Sequence, residues 1–169
     1  MRILTALLTA PFALAVAACS DSTAPADGVP PGARVVVATP VDSAPSFRSQ
    51  NTGVAVAERT VVRDAAAWAA LWDRVAGFVI PRPPAPAVDF ARDMVLFAAA
   101  GSRSSGGYSL GFGAVYESGG TYYAVVVESV PGQRCLSAGV ITTPAAAVSV
   151  ARATGPVRFV EKRETVECA

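Results

Sequence analysis

Residues 108–130 read YSLGFGAVYESGGTYYAVVVESV, and this stretch decides the fold class. From Tyr108 to Tyr116, large apolar residues alternate with small or polar ones, which is the period-two pattern of a strand. Residues 121–130 carry the strongest strand signal in the chain. Ser118, Gly119 and Gly120 lie between the two strands and form a turn sequence. The stretch therefore predicts a β-hairpin.

A helix is predicted upstream of the hairpin, from Asp64 to Gly77. Asp64 is a favourable N-cap, and Gly77 is a favourable stop. Four large apolar side chains recur at helical spacing and form one stripe: Trp68, Leu71, Trp72 and Val75. We interpret the two tryptophans as anchors of the helix on a sheet; the alternative is a binding platform.

Further short strands are predicted on both sides of the hairpin, and together they define the fold class. They cover residues 34–39, 53–62, 94–100, 140–143, 147–151 and 157–160. The alternation of strand and helix that builds parallel βαβ units is absent. We therefore expect a mostly β (α+β) fold: an antiparallel sheet or sandwich of about seven or eight strands with one packed amphipathic helix.

The N-terminus predicts export and lipidation. Arg2 is followed by an apolar stretch over residues 3–18 that ends in small residues, as in a secretory signal. Cys19 directly after those residues resembles the lipidated Cys of a bacterial lipobox. The alternatives are a transmembrane anchor, for which the stretch is short and contains Pro11, and soluble secretion. We expect the chain to be held on a membrane by acyl chains on Cys19, and Ser20 favours the outer membrane of the cell envelope.

Three regions follow from this interpretation. Residues 1–18 form a lipoprotein signal peptide. Residues 19–32 form a disordered tether, because a segment rich in Ser, Asp, Ala, Pro and Gly buries too little apolar surface to order itself. Residues 33–169 form a single β-rich domain, a length that is sufficient for a real core.

Charge and residue usage exclude several classes of function. Removing residues 1–18 takes away Arg2 and leaves 13 basic and 13 acidic residues, so we expect no nucleic-acid partner. The chain has no histidine, which excludes Ser-His-Asp and Cys-His catalysis and the zinc sites that contain histidine. Lys162 is the only lysine. We expect no catalytic residue, no metal site and no cofactor.

The cysteine count predicts one disulfide. If Cys19 is lipidated, Cys135 and Cys168 remain as a pair in an exported protein, and oxidising compartments favour disulfides. We predict a Cys135–Cys168 bridge. Two free thiols, or one bridge to a partner chain, are the alternatives.

The order of landmarks from residue 53 onward resembles the C-terminal domain family of the protease complex subunit PrcB. The landmarks are Ala67–Trp72, Val88–Phe90, Met94–Leu96, Gly101, Gly106–Ser109, Pro131-Gly132, Thr143-Pro144 and Val157–Val160. The resemblance implies an exported, often lipid-anchored β-rich module. It also implies kinship with a non-catalytic subunit of a cell-surface protease complex.

The segment between the strand at 94–100 and the hairpin is the candidate binding turn. Its residues are Arg103, Ser104, Ser105, Gly106, Gly107 and Tyr108. Arg103 and the two serines offer donors, and the glycines permit close backbone approach, as in an anion-binding nest. The alternative is a connecting turn whose Tyr108 fills the core.

Together these features predict a lipid-anchored, non-catalytic envelope module that binds another envelope protein, for example as an accessory subunit of a surface or periplasmic protease complex. This function predicts exposed aromatic residues around Tyr108, Tyr122 and Tyr123. One alternative is a protease inhibitor, because a glycine-rich turn running into Gly-Tyr is similar to an inhibitory loop of the chagasin family. The other is an envelope enzyme in which Glu117 and Glu128 face each other across the hairpin; we interpret these two as solvated side chains.

Overall fold

The computed structural model describes residues 26–41, 51–77 and 79–168. These ranges contain eight strands and one helix: β1 (Arg34–Val36), β2 (Ala38–Pro40), β3 (Glu58–Val62), α1 (Ala65–Val75), β4 (Asp93–Ala99), β5 (Ser109–Ser118), β6 (Thr121–Pro131), β7 (Ala145–Ala151) and β8 (Val157–Val166). No helix within the described ranges has the length and apolar character that a membrane span requires. Cys19 and the predicted signal peptide lie outside these ranges.

The strands form two four-stranded sheets packed face to face. Sheet I has the order β1-β5-β6-β8, and sheet II has the order β2-β7-β4-β3. The predicted mostly β sandwich with a packed helix is therefore confirmed. The antiparallel expectation is wrong for one pair, because β6 and β8 are parallel from Tyr122↔Val157 to Pro131↔Val166. The intervening β7 lies in sheet II, so the chain returns to sheet I in the direction of β6.

Sheet II is the middle of three layers. On β4, Met94 and Leu96 pack with residues of sheet I, while Val95 and Phe97 pack on the opposite face with residues of α1. All four side chains are fully buried. A strand covered on both faces needs an uninterrupted apolar sequence, which explains why this run is apolar throughout.

Helix α1 covers the outer face of sheet II, as its apolar stripe predicts. Asp64 accepts a hydrogen bond from the first turn at 2.8 Å and caps the helix. Trp68 and Trp72 are buried, and their indole N–H groups donate to the carbonyls of Pro86 and Pro83 at 2.9 and 2.8 Å. The tryptophans thus hold the proline-rich connector as well as the helix, so their interpretation as anchors is confirmed.

The predicted hairpin is confirmed, and its turn is tight. Ser118 pairs with Thr121 across the turn. Gly119 and Gly120 have φ angles of 57° and 76°. Two successive positive φ angles define the turn type that matches the twist of paired strands, and glycine adopts them without strain.

Three other predicted strands are divided, shortened or absent in the structure. Residues 34–39 divide at Val37 into β1 and β2, which belong to different sheets. The strand predicted over residues 53–62 begins only at Glu58. Residues 140–143 form no strand, because their polar groups pair with two separate loops. Thr142 pairs with Arg103, and Thr143 pairs with Asn51.

The end of the predicted tether packs on the domain. Residues 26–33 form turns, and Val29 is buried among them. A Cβ on Gly28 would lie 3.4 Å from Val160 Cγ1, so this segment covers part of β8. The chain between Cys19 and the packed residues is therefore shorter than the tether that the sequence predicted.

Candidate functional site

The two ends of the sandwich have different connections. We call the end formed by residues 101–108 and 132–144 the loop end, because both long connections of the hairpin strands lie there. We call the opposite end, formed by the turns at 118–121 and 152–156, the hairpin end. The candidate binding turn belongs to the loop end.

The first part of the candidate turn is held against the segment that precedes β3. Gly101 has φ 77°, and a Cβ at this position would lie 2.8 Å from the backbone nitrogen of Ala57, so only glycine fits without strain. The next residue, Ser102, donates its backbone N–H to the Ala55 carbonyl at 3.0 Å. The turn therefore starts from a fixed position.

Arg103 is part of a partly buried ion pair rather than a free donor. Its Nε donates to Glu128 Oε1 at 2.6 Å, and Arg163 Nη2 donates to Glu128 Oε2 at 2.9 Å. Burial raises the pKa of Glu128, but hydrogen bonds and charge from Arg163 and Arg103 outweigh it and hold that pKa below its ordinary value. Arg103 also lies 5.9 Å from the ring centroid of the half-buried Tyr108. The donors of Arg103 that were expected to face a ligand are therefore already engaged with Glu128.

The glycines of the turn serve packing against the neighbouring loop. Gly106 N donates to the Ala138 carbonyl at 3.0 Å. A Cβ on Gly107 would collide with Ser137 Oγ and lie 2.9 Å from Pro131 Cβ. Close approach at Gly107 is therefore required, as predicted, but the group that approaches is the 132–144 loop of the same chain.

The predicted disulfide braces this loop. Cys135 and Cys168 are bonded, with Cα atoms 5.0 Å apart. The bond ties the start of the 132–144 loop to the residues that follow β8. Gly132 N donates to the Val166 carbonyl at 2.9 Å and reinforces the same connection.

Large apolar side chains project from the braced loops into solvent. Leu136 is fully exposed, Ile141 is 75% exposed, and Val140 and Val166 are about half exposed. We call these four residues the apolar tip. A cavity of about 210 Å³ lies beside it, between Gly107, Leu136 and the disulfide. No local sequence pattern reveals this surface, because Val140 and Ile141 have the composition of a buried strand.

The predicted aromatic patch does not form. Tyr122 points inward and packs at the edge of the core between the sheets. Tyr123 alternates with it and points to the other face of sheet I, near the hairpin end. Tyr108 lies at the loop end, so the three tyrosines occupy three separate surroundings.

A cleft of about 320 Å³ opens beside the loop end between the exposed edges of the two sheets. Its charged lining residues are Arg59, Arg103, Glu128, Glu161, Lys162 and Arg163. Arg59 pairs with Glu161 at 2.7 Å and joins β3 to β8. The cleft is thus lined by ion pairs, of which Arg59–Glu161 links one sheet to the other.

No pair of carboxylates suited to acid–base chemistry forms across the hairpin. Glu117 lies opposite Tyr122 and pairs with Arg34 at 3.1 Å, whereas Glu128 lies opposite Leu110 near the other end of the strands. The hypothesis that the two acids face each other is wrong. Among the described residues, no group of three or more His, Cys, Asp or Glu side chains could hold a metal ion.

The fold and site define a class: a two-sheet β sandwich with one covering helix and a disulfide-braced apolar end. Within this class, residues 94–151 match the family described as PrcB C-terminal. The resemblance inferred from the landmarks is therefore confirmed over this stretch, which runs from β4 to β7. The matched stretch includes the candidate turn and the 132–144 loop. No curated protein matches the chain, and no solved structure matches it.

Proposed function

We propose that this chain is a lipid-anchored, non-catalytic accessory module of the bacterial cell envelope that binds another envelope protein through its apolar tip. Acyl chains on Cys19 hold it at the membrane, with the outer membrane favoured by Ser20. The partner is a subunit of a protease complex, a partner class suggested by the PrcB C-terminal match.

The observation that carries the proposal is the exposure of large apolar side chains on a rigid support. Large apolar side chains that are exposed together at one end of a domain mark interaction sites. Leu136 follows a disulfide-bonded Cys, and Ile141 precedes the Thr142 bridge to Arg103. Because these braces limit the conformational freedom of the loop, a partner would lose little entropy in ordering it.

The chemistry of the rest of the chain supports a binding role over an enzymatic one. Histidine is absent from the sequence. Glu128, the most buried carboxylate of the cleft, has a lowered pKa and accepts hydrogen bonds from two arginines. A carboxylate held ionised in this way is a poor general acid near neutral pH.

The test is capture from envelope extract with the full-length lipidated chain as bait. We expect to capture one stoichiometric partner, and we expect it to be a subunit of a protease complex. The variant Leu136→Ser/Ile141→Ser should lose that partner while keeping its thermal unfolding temperature, because both side chains are exposed. The matched control Val37→Ser/Ile80→Ser removes two equally exposed apolar side chains elsewhere and should retain it. Equal capture by both variants would remove the basis for the tip as a binding site.

A further inference from the structure

The N-terminal segment crosses the outer face of sheet I, which is the face turned away from sheet II. Gly28 lies on Val160 of β8, at one edge of the sheet, and Arg34 begins β1 at the other edge. Val29 is buried between these points, and Val125 on the outer face of β6 is also buried. The chain therefore enters the domain on this face, at the β8 side.

The chain between the lipid and this entry point is short. Seven residue steps separate Cys19 from Ala26, and a fully extended chain spans at most about 25 Å over that distance. A compact domain of about 140 residues has a radius of gyration of roughly 14 Å and hence a diameter of roughly 37 Å. Because the tether is shorter than the domain is wide, it favours an orientation in which the face where the chain enters, rather than the α1 layer, is turned toward the lipid surface.

The outer face also carries a row of residues suited to a lipid–water interface. Val35, Tyr116, Tyr123 and Arg158 are neighbours in the strand register, one from each strand of sheet I. Their side chains alternate with the inward residues Val36, Val115, Ala124 and Phe159. Val35 is 65% exposed, the tyrosines are half-buried, and Arg158 is exposed.

The chemistry of this row resembles that of membrane interfaces. Tyrosine places an apolar ring and a polar hydroxyl at the level of the headgroups. Arg158 has no acidic partner among the described residues, so its charge is available to lipid phosphates.

We propose that the outer face of sheet I lies on the lipid surface, with Val35, Tyr116, Tyr123 and Arg158 at the headgroup level. The inference rests on the proposed anchoring through Cys19. In this orientation α1 faces away from the membrane. The loop end lies at the side of the domain, where a second envelope protein can reach the apolar tip.

The test places a spin label on either side of the domain. Val35→Cys labels the outer face, and the control Ile80→Cys labels the connector beside α1; both native side chains are exposed, so neither label disturbs packing. The other cysteines are occupied by lipid or by the disulfide. The full-length lipidated variants are reconstituted in phosphatidylcholine vesicles, and flotation with the vesicles is measured first. Collision of each label with a water-soluble nickel complex is then measured by electron paramagnetic resonance.

We expect both variants to float. We also expect the label at position 35 to collide less often with the nickel complex than it does in the same variant measured without vesicles. The label at position 80 should show no such loss. Flotation with equal accessibility at the two positions would overturn the orientation and leave the anchoring intact. A failure to float would overturn the anchoring and, with it, the orientation.

Discussion

The two ends of the sandwich differ in how they connect the strands. At the hairpin end the turns are short, and Gly155 lies directly against the Gly120 carbonyl. Among the described residues, the turns at 118–121 and 152–156 expose no large apolar side chain. At the loop end the connections are long, and Leu136 and Ile141 project into solvent.

The exposed apolar side chains are found at the loop end, and their exposure does not contribute to the stability of the fold. The loop end is not loose, since a disulfide, the Arg103–Thr142 bridge and the Glu128 ion pairs all brace it. Bracing lowers the conformational entropy of a loop without burying its apolar residues. We infer that the loop end binds a partner, whereas the hairpin end only connects the strands.

Removal of the disulfide should produce the largest change in stability. Cys135→Ser/Cys168→Ser opens a loop with a sequence separation of 33. The chain-entropy model then gives a loss of about 3–4 kcal/mol in the free energy of unfolding. Urea denaturation measures this loss, and amide hydrogen exchange should locate the loosened region at residues 132–144. Loosening spread evenly over both ends would contradict a local brace.

Two acidic residues, one near each end, should contribute differently to the free energy of unfolding. Glu128→Gln weakens charge-assisted bonds to Arg103 and Arg163 in a nearly buried site, at an expected cost of about 1.5–3 kcal/mol. The control Glu117→Gln weakens an exposed pair with Arg34 and keeps an amide oxygen that can accept the hydrogen bond from Gly120 N, at an expected cost of about 0–1 kcal/mol. Denaturation midpoints of the two variants measure the difference. Equal losses would show that Glu128 has no special role in bracing the loop end.

A pair of glycines tests the close contact between the two loops. Gly107→Ala introduces a Cβ against Ser137 and Pro131 and should cost about 1–3 kcal/mol through overpacking. Gly111→Ala introduces a Cβ into open space within β5 and should instead stabilise the strand by about 0.5–1 kcal/mol. Thermal unfolding of both variants measures the contrast. A neutral Gly107→Ala would mean that the loops separate at little cost.

Acid should destabilise the domain through two ion-paired carboxylates. Hydrogen bonding from Arg74 lowers the pKa of Glu58, and the arginines around Glu128 lower its pKa against the effect of burial. Their stabilising contribution is therefore complete above the ordinary carboxyl pKa near 4.5 and is lost as pH falls through the lower folded values. We expect the urea midpoint to be constant from neutral pH down to about pH 4.5 and to decrease between about pH 4.5 and pH 3. The fall should be smaller in Glu128→Gln, and an identical fall would assign the acid sensitivity to other groups.

The smallest effect on stability belongs to the apolar tip itself. Leu136→Ser and Ile141→Ser remove exposed side chains, so each should change the free energy of unfolding by no more than about 0.5 kcal/mol. Chemical denaturation checks this value. A larger loss would mean that these residues support the fold, and their exposure would then carry no functional meaning.

The parts of the fold that the sequence predicted are those whose signals are local. The Asp64 cap with the tryptophan stripe, the Gly119-Gly120 turn and the apolar run after Asp93 each lie within one short window. The disulfide followed from counting the cysteines that remain after Cys19 is assigned to lipid, and the structure contains it.

The features that the sequence missed depend on distant partners. Glu128 binds arginines 25 and 35 residues away along the chain, and no local pattern reveals that they converge. The parallel pairing of β6 with β8 likewise depends on β7 crossing to the other sheet. Val140 and Ile141 were assigned to a strand because β propensity describes composition, whereas their exposure depends on which neighbours reach them.

The central claim, that the apolar tip contacts an envelope protein, is tested most directly by site-specific photocrosslinking in living cells. A photoreactive residue replaces Leu136 in the full-length chain, and a second variant carries it at Ile80 as an equally exposed control. We predict one dominant crosslinked protein from position 136, a subunit of a protease complex, and none from position 80. The same set of crosslinked proteins from both positions, or none from position 136, would contradict the claim.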